Sequence, residues 1–451
     1  MANTNNLATT ICAIATAPGV GGVGIVRVSG PKALSIGEFI AQRNLLPNQV
    51  NFSNFFDNKK NSIDQGITLF FKSPYSFTGE DVVEFQAHGG PVVLQMILDA
   101  CLALGCHMSE PGEFTKRAFL NDKIDLTQAE AIADLINAST RQAAQNAFHS
   151  LQGNFSNKIN DLLKKVVDIR LYVEACLDFP EEDIDFIKKG DIKEKLLAIK
   201  TALLSLLDTS KKGQVIQDGF QMCLVGRPNV GKSTLINQFA QEDIAIVTDI
   251  PGTTRDPVRA LISLKGVPIR IYDTAGLRDT NDVVESAGIE RTKHLLEQAH
   301  LALILIDSLD DINAFVSLYD LSHLACPYIW VLNKIDLSNE KPGTFEHQGK
   351  SVVSISAKHN LGIEFLEEEI LKVLQLDDLD SNEFQFSARK RHLVSLNHIV
   401  NNVDNALNLL YDPSLLAEEL SQAQQELSKI TGEFSPDDLL GEIFSRFCIG
   451  K

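Results

Sequence analysis

The residues Leu224-Val225-Gly226-Arg227-Pro228-Asn229-Val230-Gly231-Lys232-Ser233-Thr234 carry the strongest chemical signal in the chain. They fit G-x-x-x-x-G-K-[ST], a loop between a strand and a helix that cradles phosphate. Gly226 and Gly231 let backbone N–H groups turn inward around phosphate oxygens, and the start of the following helix adds its positive dipole end. Lys232 can neutralise β- and γ-phosphates, and the Ser233 hydroxyl can hold Mg²⁺. Asn229, Val230 and Thr234 complete the candidate loop. Alone, such a run could be a Gly-rich turn, so its companions decide.

Those companions follow in order. Asp273-Thr274-Ala275-Gly276 ends an apolar strand over 269–272, so the carboxylate can reach the Mg²⁺ shell and the glycine the γ-phosphate. Asn333-Lys334-Ile335-Asp336 ends a strand over 328–332. A carboxylate there can accept from guanine N1–H and N2–H₂ together, a pairing adenine cannot offer. Ser356-Ala357-Lys358 follows a strand over 351–355 and would close over the base. Between the loop and Asp273 lies Asp249-Ile250-Pro251-Gly252-Thr253-Thr254-Arg255-Asp256, a candidate mobile segment able to bring Thr254 to Mg²⁺. This order predicts a Ras-like P-loop GTPase domain. One position departs from it: Leu277 stands where Ras-like proteins place a water-orienting Gln, so hydrolysis must use another group.

The frame that carries these motifs is large. The chain has 451 residues, which predicts two to four domains with sizeable cores. Its 44% hydrophobic and 22% charged content is that of a soluble globular protein. Seven scattered cysteines, with no C-x-x-C pair, predict a reduced compartment and no structural zinc. The polar start and the lack of any membrane-length apolar run predict a cytoplasmic protein with no membrane partner. A net charge of −18 argues against broad nucleic-acid binding but leaves room for an RNA held by a local basic patch.

Along the chain, residues 1–120 are expected to be strand-rich and α+β, with strands at 11–17, 24–28, 67–71 and 81–86 and a helix over 91–104. Gly19-x-Gly21-x-x-Gly24 formally matches a dinucleotide fingerprint, yet Ile25 to Val28 alternates like a strand, so a hairpin connection is the better reading. His88-Gly89-Gly90 reads as a strand-to-helix turn. From about 127 the apolar period changes to that of helices, with Leu151, Phe155, Ile159, Leu162 and Val166 on one stripe. An acidic break follows Phe179, a helix is expected over 192–207, and Ser210 to Gly213 reads as a hinge. After a second acidic linker at 377–383, helical stripes run through Leu393 to Leu410 and Leu416 to Ile430. The fold class is multidomain α/β plus α. Its expected parts are an N-terminal domain 1–120, a discontinuous helical domain from 121–213 and 377–451, and an inserted GTP-binding domain 214–376.

This order resembles the MnmE (TrmE) family of tRNA modification GTPases over the full length. The resemblance is carried by Gly21 to Gly30 (GGVGIVRVSG), Tyr75 to Asp81 (YSFTGED), His88-Gly89-Gly90, Glu110 to Asn121 (EPGEFTKRAFLN), Gly252 to Asp256 (GTTRD) and the tail Cys448-Ile449-Gly450-Lys451. It implies addition of an aminomethyl-type group, as in carboxymethylaminomethyl, to carbon 5 of the wobble uridine of certain tRNAs. The implied partner is the FAD- and NADH-dependent flavoprotein MnmG (GidA), joined to a homodimer of this chain in a heterotetramer. A 5-formyl- or 5,10-methylene-tetrahydrofolate is the implied one-carbon carrier, bound in the N-terminal domain.

By motif, the implied folate contacts are Arg27, Glu84, Lys123 and Lys451. A carboxylate such as Glu84 can pair with an aminopyrimidine edge, and Arg or Lys can hold glutamate carboxylates. The resemblance also makes Cys448 a thiol that the modification needs and Glu285 a catalytic residue acting on the attacking water. It implies that K⁺ takes the place of an arginine finger, held by Asn229 and by oxygens of Thr248, Ile250 and Thr253. The rival classes are a ribosome-assembly GTPase switch and a membrane-remodelling GTPase. A single phosphate loop, a helical C-terminal segment with no evident KH motif and no basic amphipathic helix weigh against both.

Overall fold

A computed structural model describes residues 9–178, 191–242, 258–273, 296–297, 299–319, 326–338, 340–347, 349–374, 386–433, 437–445 and 447–450. The chain forms two compact units, one of residues 1–133, 151–199 and 398–451 and one of residues 134–150 and 200–397.

The first unit begins with a six-stranded sheet. Its strands are β1 (Ile11–Ile14), β2 (Gly21–Ser29), β3 (Asn51–Phe56), β4 (Ser62–Phe71), β5 (Val82–Gly89) and β6 (His107–Met108), in the order β3-β4-β5-β2-β1-β6. The first expected strand stops at Ile14, three residues short of the sequence reading. β1 and β2 pair antiparallel with Ile14 opposite Val26, so the glycine run is a hairpin connection and no dinucleotide fingerprint is formed. Val26, Val28, Val83, Phe85 and Ala87 point to one face and pack on helices Ala33–Ala41 and Pro91–Ala103. Pro91 at the first helical turn fixes where the second of these starts. Gly89 is required by close approach, because a Cβ there would lie 2.6 Å from the Gly21 carbonyl oxygen. Helices Ala33–Ala41 and Glu113–Leu120 and strand β3 were not expected from the sequence.

The rest of this unit is helical. The stripe Phe155, Ile159, Leu162 and Val166 continues through Ile169 and Val173 as the buried face of helix Asn154–Asp178. Leu416, Leu420, Ala423, Leu427 and Ile430 are the matching face of helix Pro413–Thr431, which packs against it. Arg170 Nη1 donates to Gln424 Oε1 at 2.6 Å and ties the two. Asp412 caps the second helix by accepting from Leu415 N, and left-handed Gly432 ends it. A last helix, Asp437–Ser445, extends the core through Ile443 and Phe444.

The expected hinge at 210–213 is corrected. Helix Ile192–Asp218 runs straight through it, and the turn comes at Gly219, where φ is +67°. Gly213 serves packing instead, since a Cβ would fall 2.5 Å from the Phe386 carbonyl oxygen.

The second unit holds a seven-stranded sheet of β7 (Phe220–Gly226), β8 (Val258–Leu264), β9 (Val267–Asp273), β10 (Leu301–Ile306), β11 (Tyr328–Leu332), β12 (Gly343–His347) and β13 (Lys350–Ser354). The order is β12-β13-β11-β10-β7-β9-β8, with parallel pairing in the middle and antiparallel pairs β8/β9 and β12/β13 at the edges. The run Leu-Ala-Leu-Ile-Leu-Ile of β10 is buried at every residue, as a central parallel strand covered on both faces must be. Ala143, in helix Arg141–Leu151, joins the core of this unit, and Thr140 Oγ1 donates to the Gly266 carbonyl oxygen at 2.9 Å. Residues 134–150 therefore group with the GTP-binding motifs rather than with the other helices. Among the described residues no helix is long and apolar enough to cross a membrane, and no His, Cys, Asp or Glu cluster could hold a metal ion.

Candidate functional site

Strand β7 delivers the phosphate loop and helix Lys232–Glu242 leaves it, the order that the motif requires. Asn229 and Gly231 both take positive φ, +60° and +107°, so successive backbone N–H groups of Asn229, Val230 and Gly231 can curl into a concavity. A Cβ on Gly231 would sit 2.2 Å from Asn333 Nδ2, and one on Gly226 would sit 2.7 Å from the Leu305 carbonyl oxygen. Lys232 is buried, and its Nζ donates to the Gly226 and Arg227 carbonyl oxygens at 2.6 and 2.9 Å. Ser233 and Thr234 open the helix.

The Asn333–Asp336 motif is joined to this loop by one side chain. Asn333, at the end of β11, is buried; its Nδ2 donates to the Val230 carbonyl oxygen at 2.7 Å and its Oδ1 accepts from Ala357 N at 3.0 Å. Lys334 has φ of +67° and its Nζ lies 3.2 Å from Asp307 Oδ2. Ile335 anchors the short helix Ile335–Ser338 in the core. Asp336 Oδ1 accepts from Ser356 Oγ at 2.6 Å, and His359 Nε2 is 3.7 Å from its other oxygen. The Ser356 hydrogen bond is the main cause that holds the Asp336 carboxyl below its ordinary range. Lys358, with His359, adds positive charge beside it. An ionised Asp336 suits a paired N–H donor edge such as guanine's. The motifs from β7, β11 and the loop after β13 thus meet at the carboxyl ends of parallel strands, where open α/β sheets bind ligands.

Other expected residues stand differently. Asp273 is the last residue of β9, paired in register with Leu224 of β7. Thr248, Asp249, Ile250, Pro251, Gly252, Thr253, Thr254, Thr274, Ala275, Gly276, Leu277, Glu285 and Lys451 lie outside the described residues.

A second group gathers in the first unit, on the sheet face away from the helices Ala33–Ala41 and Pro91–Ala103. Arg27 on β2 and Glu84 on β5 are register partners, and Arg27 Nε donates to Glu84 Oε1 at 2.8 Å. The guanidinium stacks within 5.9 Å of the Phe77 ring and 5.7 Å of the Phe114 ring. Lys123 Nζ donates to the Pro74 carbonyl oxygen at 3.0 Å, at the base of the loop that carries Phe77. The chain's tail reaches the same sheet. Cys448 is exposed, its carbonyl oxygen accepts from Gly112 N, and Gly450 packs on Ile14 and Ala15 at the end of β1.

The sequence reading passed over Arg117. It is 3% exposed, and its guanidinium donates to Glu80, Glu113, the Thr9 carbonyl oxygen and Thr9 Oγ1. Glu80 also accepts from Ser29 Oγ at 2.7 Å, so this network pins the loop over 73–81 against β2. The i, i+4 spacing of Glu113 and Arg117 was the available signal. His88, read as a turn histidine, is paired: its Nδ1 lies 2.9 Å from Asp64 Oδ1.

Comparison with known proteins comes to the same place. The family model for the N-terminus of the GTP-binding protein TrmE matches residues 10–123, and the model for the MnmE helical domain matches residues 126–448. A tRNA modification GTPase MnmE of Chromobacterium violaceum is 50% identical over 444 residues, covering 98% of this chain and 98% of that protein. Its counterpart in Nitrosomonas europaea is 48% identical over 450 residues, covering 98% and 99%. That of Neisseria meningitidis is 46% identical over 444 residues, covering 98% and 99%. At half identity over nearly the whole length, with both family models in order, the chain belongs to the MnmE family of tRNA modification GTPases.

Proposed function

We propose that this chain hydrolyses GTP and, with a flavoprotein partner of the MnmG type, builds an aminomethyl-type group on carbon 5 of wobble uridine in certain tRNAs. The observation that carries the reading is the full-length similarity to tRNA modification GTPases, supported by an Asp336 carboxyl that Ser356 holds below its ordinary range. In this reading Asn229 to Thr234 cradle the phosphates, and Asn333 to Asp336 with Ser356 to Lys358 take the guanine. The segment 248–254 and Asp273 to Gly276 complete the γ-phosphate side. Ser233 and Thr254 hold Mg²⁺, while Asn229 with Thr248, Ile250 and Thr253 holds K⁺. Glu285 orients the attacking water in place of the missing Gln.

The one-carbon chemistry belongs to the N-terminal sheet. Arg27, Glu84 and Lys123, with Lys451 from the tail, take a reduced folate, and Cys448 supplies a thiol beside it. The fit rests on what the structure offers there: a half-buried Arg27–Glu84 pair between two aromatic rings, with the tail seated on the neighbouring strand. Such a pair presents both a carboxylate for an aminopyrimidine edge and a cation for an anionic one. FAD and NADH enter only through the partner. The chain works as a cytoplasmic homodimer within a heterotetramer, its GTP-binding domain 214–376 inserted between helical parts 121–213 and 377–451 behind the N-terminal domain 1–120.

A nucleoside mass spectrum of total tRNA from a strain lacking this protein tests the reading. Loss of the modified wobble uridine, restored by the intact gene, is expected. Unchanged uridine with accumulated ribosomal precursors would replace the reading with a ribosome-assembly switch.

A further inference from the structure

The turn between β8 and β9 rests on a helix that the nucleotide motifs do not include. Its two residues, Lys265 and Gly266, have φ of +46° and +88°, the signs that a two-residue type I′ hairpin loop requires. Thr140 is buried, and its hydroxyl makes two bonds at once. It donates to the Gly266 carbonyl oxygen at 2.9 Å and accepts from Ala143 N at 3.1 Å. The group that caps helix Arg141–Leu151 therefore also holds the hairpin tip. Gln142 closes on the same turn, since a Cβ on Gly266 would lie 3.1 Å from Gln142 Cβ. Ala143 shares one apolar core with Leu264 and Val267, the residues on either side of the turn.

The far end of the helix is tied to another segment of the same unit. Ser150 Oγ accepts from Ser387 N at 2.9 Å, Ser387 Oγ donates to Asp134 Oδ2 at 3.1 Å, and Arg389 Nη2 donates to Asp134 Oδ1. Ser150, Ser387 and Asp134 are all buried. Arg389 directly precedes helix Lys390–Asn408, which leads the chain toward its C-terminal helices. The 11 residues of helix Arg141–Leu151 span roughly 16 Å between these two attachments.

The open end of the hairpin leads to the motifs read as the γ-phosphate side. β9 ends at Asp273, and β8 begins at Val258, shortly after Asp256. Among the described strands β8 is an edge, bonded to β9. A shift of the hairpin must either break the buried Thr140–Gly266 bond, at about 1–3 kcal/mol, or draw the helix with it. Midway along that helix Asn146 is 1% exposed, and its Oδ1 accepts from Gln142 Nε2 at 3.0 Å. Its Nδ2 has no partner among the described residues. An unpaired buried donor is costly, so a displacement that finds it an acceptor gives the helix a second stable arrangement.

We propose that Thr140 couples the β8–β9 hairpin to helix Arg141–Leu151, so that the state of the γ-phosphate passes through Ser150 and Ser387 to helix Lys390–Asn408. The coupling rests on the reading that Asp273 to Gly276 and the segment 248–254 meet that phosphate. A rigid helix held at both ends by buried hydrogen bonds transmits a displacement, whereas one with a free end absorbs it.

Hydrogen exchange of the full-length chain tests this, with GDP alone and with GDP, aluminium fluoride, Mg²⁺ and K⁺. In the wild type, amides of 141–151 and 386–392 should exchange at rates that differ by about threefold or more between the two states. Thr140→Val keeps the shape of the side chain and loses the hydroxyl. Its peptides over 141–151 and 386–392 should exchange alike in both states, while those over 248–276 still respond. Thr140→Ser keeps the hydroxyl and should restore the full response, which a role in shape alone would not require. A wild-type response confined to 248–276 would overturn the coupling without recourse to any variant, and so would a full response in Thr140→Val. Silence over 248–276 as well would remove the reading of those segments, and the coupling with it.

Discussion

Asn333 Nδ2 donates to the carbonyl oxygen of Val230 at 2.7 Å, so a residue of the Asn-Lys-Ile-Asp motif holds the glycine-rich loop after β7 in place. The same side chain accepts from Ala357 N at 3.0 Å, which fastens the loop after β13. Three motifs far apart in sequence share one buried amide.

Replacing it should therefore disturb both ends of the nucleotide site. Asn333→Ala leaves the Val230 carbonyl oxygen and the Ala357 N–H unpaired in a buried setting, at about 1–3 kcal/mol each. GTP and GDP affinity should fall at least tenfold together, because the lost contacts shape the empty site and do not read the γ-phosphate. Titration with a fluorescent guanine nucleotide checks this; a variant that lost only GTP affinity would point to a different role.

Gly231 is constrained twice over. Its φ is +107° and an added Cβ would overlap Asn333 Nδ2 at 2.2 Å. Gly231→Ala should reduce nucleotide affinity by about a hundredfold or more, the sum of backbone strain and a displaced amide. Circular dichroism should show the helices retained, which separates a local loss from unfolding.

Asp336 gives the pH dependence. Its folded-state carboxyl is held low chiefly by Ser356, so it stays ionised down through the usual carboxylate range and its pairing ability is lost only as pH falls through the depressed value. Ser356→Ala removes the main cause of the depression. The acid limb of guanine-nucleotide affinity should then move to higher pH, with the neutral-pH plateau lowered only slightly. Identical acid limbs in the two proteins would mean that Ser356 does not tune the carboxyl. Asp336→Asn should shift preference toward xanthine nucleotides at every pH, since two donors would face each other at N2 of guanine.

Hydrolysis is expected to depend on K⁺. Leu277 cannot orient water, so turnover should be slow in Na⁺ and two to three powers of ten faster in K⁺, a difference of roughly 3–4 kcal/mol. Glu285→Ala should abolish the stimulation and spare GTP affinity, because a water-positioning group acts in the transition state. Asn229→Ala should lose the stimulation through loss of the ion. Normal K⁺-driven turnover by Glu285→Ala would remove the glutamate from the mechanism.

Much of this architecture was legible in the residues, and the gaps have physical causes. The phosphate loop could be read because its glycines, Lys232 and flanking apolar strand are each demanded by chemistry at fixed spacing. The long stripes from Phe155 and Leu416 could be read because a buried helix face repeats every 3 to 4 residues. Gly213 misled, since a glycine that permits a hinge also permits the close approach it makes to Phe386. Helix Glu113–Leu120 was missed because its inward face carries Arg117, a charge made tolerable by Glu80 and Glu113. No local period announces such a satisfied buried cation. The nearness of Arg27 to Phe77, Phe114 and the tail depends on strand order, which spacing alone does not contain.

The tail supplies the last test. Gly450 has φ of +92°, and a Cβ there would fall 2.4 Å from the Ile14 carbonyl oxygen and 3.0 Å from Ala15 Cα. Both neighbours are backbone at the end of β1, so neither can swing aside. Gly450→Ala should therefore lift the tail from the strand that pairs with Arg27's own strand, and carry Cys448 with it. Cys448 is already exposed, so a thiol reagent cannot report the change by accessibility alone; the readouts are folate binding by calorimetry and wobble uridine by mass spectrometry. Modification should fall to the level of Cys448→Ser, folate affinity should drop because Lys451 moves with the tail, and K⁺-stimulated GTP turnover should stay intact. Cys448→Ser should differ in one respect, keeping its folate affinity while losing modification. If Gly450→Ala modifies tRNA normally, the seating of the tail on β1 is packing alone, and Cys448 has no part in the chemistry of the N-terminal sheet.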